Sequence, residues 1–255
     1  MKPKDINTFK TEKLFSICTL VTNKDEYQEM IDSFNHSGFN ESNSEFLYVD
    51  NSINNQFDAF QGIKYFLTFA TGKYIIICHQ DVIIKYDNIE NLLECIAEVS
   101  LLDPNWAILG NAGGVSINKL AVRISDPHGE DQHIGDLPAR VSSLDENFLL
   151  IKREANLSIS NNIEGFHFYG TDLCVIADIL GYTSYVINFH LYHKSAGNAD
   201  NSFTTVLDKL LSKYQVALRS RRIQTTCTEF YISNSNFISW IMERKLVKSF
   251  LKRKI

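Results

Sequence analysis

With 255 residues, 44% hydrophobic and 22% charged residues, and a formal charge of −5, the chain is long enough for one large or two small domains. Its composition is that of a folded protein, which excludes a disordered one. Charge is uneven: residues 216–255 hold nine Lys+Arg against two acids, a local +7 that leaves −12 elsewhere and excludes a uniformly basic nucleic-acid binder. The cysteines Cys18, Cys78, Cys95, Cys174 and Cys227 form no C-x-x-C pair, and four fall in apolar periodic segments. They read as small buried hydrophobes of a reducing compartment. Met1–Lys13 is polar and lacks a signal-peptide pattern, and the apolar run Leu14–Val21 is too short for a membrane span, so cytoplasm is the expected location.

In chain order, Leu14–Val21 reads as a strand, Asp25–Ser37 as a helix ended by Gly38, and Glu45–Val49 as a second strand. Asn54 reads as the N-cap of a helix with Phe60, Ile63, Leu67 and Ala70 on one face, stopped at Gly72. Tyr74–Cys78 is a third strand. Asn88–Leu102 repeats Ile89, Leu92, Leu93, Ile96 and Val99 at helical spacing before Pro104. Trp106–Gly110 is a further strand, running into a glycine turn at Asn111–Gly114 that permits close approach of a ligand or another strand. Ser125–Arg140 lacks periodicity and reads as a mobile loop or lid. Arg140–Leu144 and Phe148–Lys152 read as short strands, Gly165–Asp172 as a loop into the helix Leu173–Leu180, and Tyr182–Phe189 as the last strand. Helices over Phe203–Arg222 and Phe237–Lys252 close the chain. Alternating strands and helices in the first half predict βαβ units and a parallel sheet.

Ligands of open α/β sheets bind beyond the carboxyl ends of the strands. Three successive exits carry Thr22/Asn23, Asp50/Asn51 and Asp81, groups able to hydrogen-bond a base and ribose and to ligate a metal on a diphosphate. Asp81 is a hard oxygen ligand suited to Mg²⁺ or Mn²⁺, or simply an aspartate starting a loop. The chain holds neither Gly-x-Gly-x-x-Gly after the first strand nor a Gly-Lys-Ser/Thr loop, so phosphate charge must be met by metal.

In order along the chain come Ser16–Asn23, Phe46–Asn51, Ala59–Ile63, Gly72–Val82, Trp106–Gly114, Leu144–Leu150, Gly165–Cys174 and Leu191–Gly197. Together these blocks, covering about residues 14–197, resemble the glycosyltransferases of the GT-A fold, specifically the bacterial group similar to glycosyltransferase family two. The fold this resemblance implies is α/β, a mostly parallel, doubly wound Rossmann-like sheet of GT-A type with C-terminal helices. A glycosyltransferase domain is expected over 1–200, and a helical appendage over 201–255, packed on that domain or on a membrane.

The resemblance implies a nucleotide-sugar site in which Asp50 contacts base or ribose, with Thr22, Asn23, Gln61, His79 and Gln80 completing the donor pocket. Asp81 matches the last acid of the family's metal-binding D-x-D motif, and His79 stands where the first acid is expected. His193 matches the histidine after the last strand, a metal ligand or a structural residue. Transfer with inversion needs a carboxylate to take the acceptor's proton. Asp172 matches that base, or is the N-cap of the following helix, and Gly170 replaces a neighbouring acid. Asp145 and Glu146 are the other candidates for the base, or bind the acceptor sugar. Aromatic residues 166–169 stack on sugar rings or pack in the core.

The expected cofactor is a divalent metal, Mn²⁺ or Mg²⁺. The expected donor is a nucleotide sugar, a UDP-sugar foremost, and the acceptor a glycan or lipid-linked glycan of a bacterial surface polysaccharide. No nucleic-acid partner is expected. The basic, apolar segment Trp240–Ile255 reads as a helix on the inner face of an anionic membrane or as one packed on its own domain with a solvated basic face. The alternative function is a nucleotide-sugar or glycan-binding module without turnover.

Overall fold

The computed structural model describes residues 12–197 and 202–244. Strand β1 (Lys13–Val21) leads into helix α1 (Lys24–His36), whose first N–H groups at Asp25 and Glu26 are capped by the Asn23 side chain. Tyr27, Met30 and Phe34 of α1 are buried, the helical spacing of a core-facing stripe. β2 (Ser44–Asp50) and α2 (Ala59–Phe69) follow. The cap of α2 is Asp58, not the expected Asn54. Asn51 Oδ1 accepts the Gln56 and Phe57 N–H groups, which closes this stretch into a loop and delays the helix until Asp58 receives the Gln61 N–H.

β3 (Gly72–Cys78), the short β4 (Val82–Ile83), α3 (Ile89–Leu102) and β5 (Trp106–Gly110) continue the chain. Asn88 and Asn91 cap α3 reciprocally. The structure then departs from expectation. The glycines after Asn111 lie in a strand, β6 (Ala112–Ser116), which pairs antiparallel with β10 (Ser143–Leu144) and with β7 (Lys119–Asp126). A Cβ on Gly113 would come within 2.4 Å of the Ser143 carbonyl oxygen, so strand pairing rather than a turn requires that glycine. The expected lid over 125–140 is largely a hairpin. Asp126 Oδ1 accepts the His128 and Gly129 N–H groups, turning β7 into β8 (Gly129–Ile134), and β9 (Ala139–Val141) follows.

β11 (Phe148–Lys152), α4 (Tyr169–Ile179), β12 (Thr183–Val186) and β13 (Leu191–His193) complete the first unit's sheets. α4 begins at Tyr169, not Leu173, after Phe168 in the left-handed region with φ of 64°.

The main sheet has seven strands in the order β2-β1-β3-β11-β5-β12-β9. β2, β1, β3, β5 and β12 run one way, and β11 and β9 run against them. This is the α/β, mostly parallel arrangement expected. A second sheet, β10-β6-β7-β13-β4, carries β8 on β7. Phe15, Ile17, Ile76, Trp106, Leu109, Phe148 and Phe189 are buried in one core with Met30 and Phe34 of α1 and Leu92 and Ile96 of α3. Leu93, expected on the core stripe of α3, is 36% exposed, and Cys95 is buried in its stead. Cys18, Cys78, Cys95 and Cys174 are buried free thiols, and Cys227 is exposed.

The chain divides into two compact units, Met1–Leu207 and Asp208–Ile255. Helix α5 (Ser202–Ala217) spans that division. Within the second unit, β14 (Arg221–Gln224) pairs antiparallel with β15 (Glu229–Ile232), and α6 (Asn236–Met242) follows. The hairpin falls almost wholly between the helices expected over 203–222 and 237–252, and adds strands to an appendage expected to be helical. Residues 245–255, onto which the last helix was expected to run, lie outside the described residues. Among the described residues, no helix is long and apolar enough to cross a membrane.

Candidate functional site

The carboxyl ends of β1, β2 and β3 share one sheet edge, and β11, running against them, begins at that same edge. One side chain ties two of these exits together. Gln80 Oε1 accepts the Thr22 and Asn23 N–H groups at 2.8 and 2.9 Å, while its Nε2 donates to Thr22 Oγ1 and Glu26 Oε2. Gln80 therefore shapes the β1 exit.

At the β2 exit, Asp50 Oδ2 lies 2.8 Å from Lys24 Nζ, and its other oxygen accepts from Ser52 N and Oγ. The Lys24 and Ser52 hydrogen bonds hold the Asp50 carboxyl down at about 2. Asp50 is ionised and committed to Lys24 in this state. Gln61 is exposed in the first turn of α2, with its backbone N–H held by Asp58.

His79, Asp81 and His193 converge beyond β3: each offers one ligand atom, and all three atoms lie within 4.8 Å of one another. His193 Nε2 is 3.3 Å from Asp81 Oδ1, with the two side chains only 8% and 13% exposed. β13 places His193 there by pairing with β4, where His193 registers with Val82. The Lys194 N–H bonds the Asp81 carbonyl and fixes the same junction. Burial pushes the Asp81 carboxyl up, but hydrogen bonds from His193 and Ser195 and the nearby imidazoles outweigh it and hold it well below the usual carboxylate range. Burial, then the neighbouring His193, lowers His79 and favours the neutral imidazole. Two neutral-capable nitrogens and one ionised oxygen make a donor set suited to a divalent ion, so these residues fit the metal that the GT-A resemblance implies.

Of the candidate bases, Asp172 takes a different place from the one expected. It is fully buried inside α4, and its two oxygens accept Ser160 N at 2.8 Å and Ser160 Oγ. The cap position belongs to Phe168, so Asp172 is not the N-cap either. Its carboxylate anchors the stretch before α4 instead of facing the crevice. An acid at position 170 is excluded by packing: a Cβ on Gly170 would sit 2.5 Å from the Leu144 carbonyl oxygen.

Asp145 and Glu146 lie just before β11, at the strand-exit edge. Asp145 is exposed, accepts the Asn147 N–H, and bears electrostatically on His79. Glu146 is half-buried at the start of α4, where Oε1 accepts the Gly170 N–H at 3.3 Å. Burial and then the Asp145 charge push the Glu146 carboxyl up to about 8, against the opposing N–H bonds of Gly170, Tyr169 and Phe168. The two neighbouring carboxyl groups thus sit in different environments, Asp145 exposed and Glu146 half-buried.

The aromatic residues 166–169 divide by environment. Phe166 is exposed, Phe168 packs on Phe203 with ring centroids 4.5 Å apart, and Tyr169 is buried. Tyr169, read from sequence only as one of four aromatics that stack on sugar or pack in the core, makes polar contacts that this reading did not anticipate. Its hydroxyl lies 2.9 Å from both His79 Nε2 and the Glu146 carbonyl oxygen, linking the His79–Asp81–His193 cluster to the turn that carries Asp145 and Glu146.

No protein-family profile matches the chain. The chain is similar in fold to TarS of S. aureus: to TarS 1–349 in complex with UDP-GlcNAc, with a TM-score of 0.54 and 11% identity over 79% of this chain and 66% of that one. Against a longer TarS structure the TM-score is 0.50, with 10% identity over 79% of this chain and 43% of that one. This likeness is one of fold alone: a mixed α/β, Rossmann-like architecture consistent with the GT-A type. In sequence, the chain is 38% identical over 208 residues, 79% of its own length and 84% of the relative's, to "ATP synthase subunits region ORF 6" of Fuscovulum blasticum, a name that states no activity. At that identity and coverage, the chain belongs to the same family as the Fuscovulum blasticum ORF 6 protein.

Proposed function

We propose that this chain is a glycosyltransferase that moves a sugar from a nucleotide-sugar donor, a UDP-sugar foremost, to a glycan acceptor with inversion. One observation carries the reading: His79, Asp81 and His193 converge beyond β3, on the edge where Asp145 and Glu146 also stand. The likeness in fold to TarS, crystallised with UDP-GlcNAc, supports the donor class.

In this reading Asp81, His193 and His79 would hold a divalent ion, which when bound would supply charge neutralisation for the leaving diphosphate. Thr22, Asn23 and Asp50 line the base and ribose side, with the β1 exit held in shape by Gln80. Asp145 orients the acceptor. Glu146 is the general base: the acceptor oxygen attacks the anomeric carbon, the bond from that carbon to the diphosphate breaks, and the hydroxyl proton passes to the Glu146 carboxylate. With its carboxyl raised to about 8, Glu146 acts through its ionised fraction, so transfer is expected to rise with pH toward that value. The acceptor we propose is a glycan or lipid-linked glycan of a bacterial surface polysaccharide, reached from the inner face of the membrane through the basic C-terminal segment. Exposed Phe237 and Trp240 in α6, with the Arg244 guanidinium 3.6 Å from the Trp240 ring centroid, supply apolar and cationic groups for that contact.

The sequestration of Asp172 favours a second reading, a binding module without turnover. Calorimetric titration with UDP and GDP, with and without Mn²⁺, followed by assays of donor hydrolysis and transfer, separates the two. Transfer that falls by about 10²–10⁴-fold in Glu146→Gln, with donor binding retained, supports the enzyme. Metal-dependent binding without turnover supports the module, and no binding of either nucleotide rejects both.

A further inference from the structure

The Tyr169 hydroxyl has one proton and two partners at 2.9 Å. The Glu146 carbonyl oxygen has no hydrogen to give, so the Tyr169 proton is directed to it. The remaining contact, with His79 Nε2, is satisfied only if that nitrogen carries a hydrogen and Tyr169 Oη accepts it. The neutral imidazole then has its lone pair on Nδ1. An imidazole held by a hydrogen bond on its far nitrogen is the usual arrangement of a histidine metal ligand.

We propose that Tyr169 is a positioning residue that fixes His79 as the Nε2–H tautomer, presenting Nδ1, so that the His79–Asp81–His193 cluster selects borderline transition ions over Mg²⁺ and Ca²⁺. The inference rests on the metal role given to this cluster above, and deepens it. Imidazole nitrogens bind Co²⁺, Ni²⁺ and Zn²⁺ more strongly than Mn²⁺, whereas Mg²⁺ and Ca²⁺ demand sets made of oxygen. Two of the three donors here are nitrogen, because histidine stands at position 79.

The test uses the full chain, stripped with chelator and titrated with Co²⁺, Zn²⁺, Mn²⁺ and Mg²⁺ alone by calorimetry, with Co²⁺ also followed by its visible absorption. The expected result is tighter binding of Co²⁺ and Zn²⁺ than of Mg²⁺, and a Co²⁺ spectrum carrying nitrogen ligation. Tyr169→Phe is expected to lower Co²⁺ affinity about 10–100-fold and to shift its absorption bands. His79→Asp is expected to narrow the Co²⁺ preference over Mg²⁺. Equal affinity for Mg²⁺ and Co²⁺ in the native chain, or an unchanged Co²⁺ spectrum in Tyr169→Phe, overturns the inference. Because these titrations contain no nucleotide, they are independent of the transfer assay. Selective metal binding with no nucleotide binding would leave this inference standing and remove the glycosyltransferase reading, and unselective metal binding with metal-dependent transfer would do the reverse.

Discussion

Asp172 and Ser160 hold each other through two hydrogen bonds that occupy both carboxylate oxygens, deep in the first unit. An acid so placed acts on stability before chemistry. Replacing it by alanine leaves the Ser160 donors unmet, and Asp172→Ala is expected to lower unfolding free energy by about 1.5–3 kcal/mol, measured by urea denaturation. The same variant, where folded, should retain nucleotide binding. Loss of transfer without loss of stability would return Asp172 to the role of base.

Glu146 predicts a pH dependence with a definite sign. Its carboxyl titrates at about 8 in the folded chain, against an ordinary 4.5. Between those values the folded state holds a proton that the unfolded state has released, so stability falls as pH rises through the window. Melting temperature followed from pH 5 to 8.5 should show this decline, and the difference curve against Glu146→Gln should isolate it. A difference curve flat across the window would mean that Glu146 is ionised in the fold at neutral pH.

Much of the first half was legible because its elements carry their own punctuation. The helices expected from Asp25 and Asn88 form close to those starts, where Asn23 and Asn88 cap them, and the β1 and β3 runs are apolar because both faces are covered. The region 111–141 was not legible. β8 reads Gly-Glu-Asp-Gln-His-Ile with largely exposed side chains, so it has no alternation to detect, and the glycines of β6 mark close strand pairing while reading as a turn. The direction of β11 was equally hidden: Phe148–Ile151 is buried on both faces, and a continuous apolar run says nothing of which way it points. For the site, the exits at Asp50 and Asp81 were visible as polar residues after strands. The Tyr169 bridge and the inward turn of Asp172 depend on where α4 starts, which Phe168 decides by a left-handed backbone that no local pattern announces.

Gly113 tests the strand reading of the second sheet. A Cβ there meets the Ser143 carbonyl oxygen at 2.4 Å, a backbone atom that cannot swing aside. Gly113→Ala should destabilise by about 1–3 kcal/mol, read as a lower urea midpoint at constant m-value. Wild-type stability in this variant would argue that β6 and β10 are not paired as described.

Asp81 is the ligand whose removal is expected to matter most for nucleotide binding. Asp81→Asn should weaken Mn²⁺-dependent UDP affinity by at least the roughly 10–100-fold that losing a supporting hydrogen bond costs at metal sites. Calorimetry with and without Mn²⁺ measures it, and an unchanged metal increment would dismiss Asp81 as an anchor.

His79 and His193 are brought together by β3, β4 and β13, with the β11 strand seated beside β3. No segment shorter than 79–193 contains the cluster, so neither half of the domain assembles it alone. An ion bound there would favour the finished fold over every partly folded form by simple mass action. Metal occupancy would then serve as a proofreading signal: it would register that the early and late parts of the chain had found one another, before any substrate arrived.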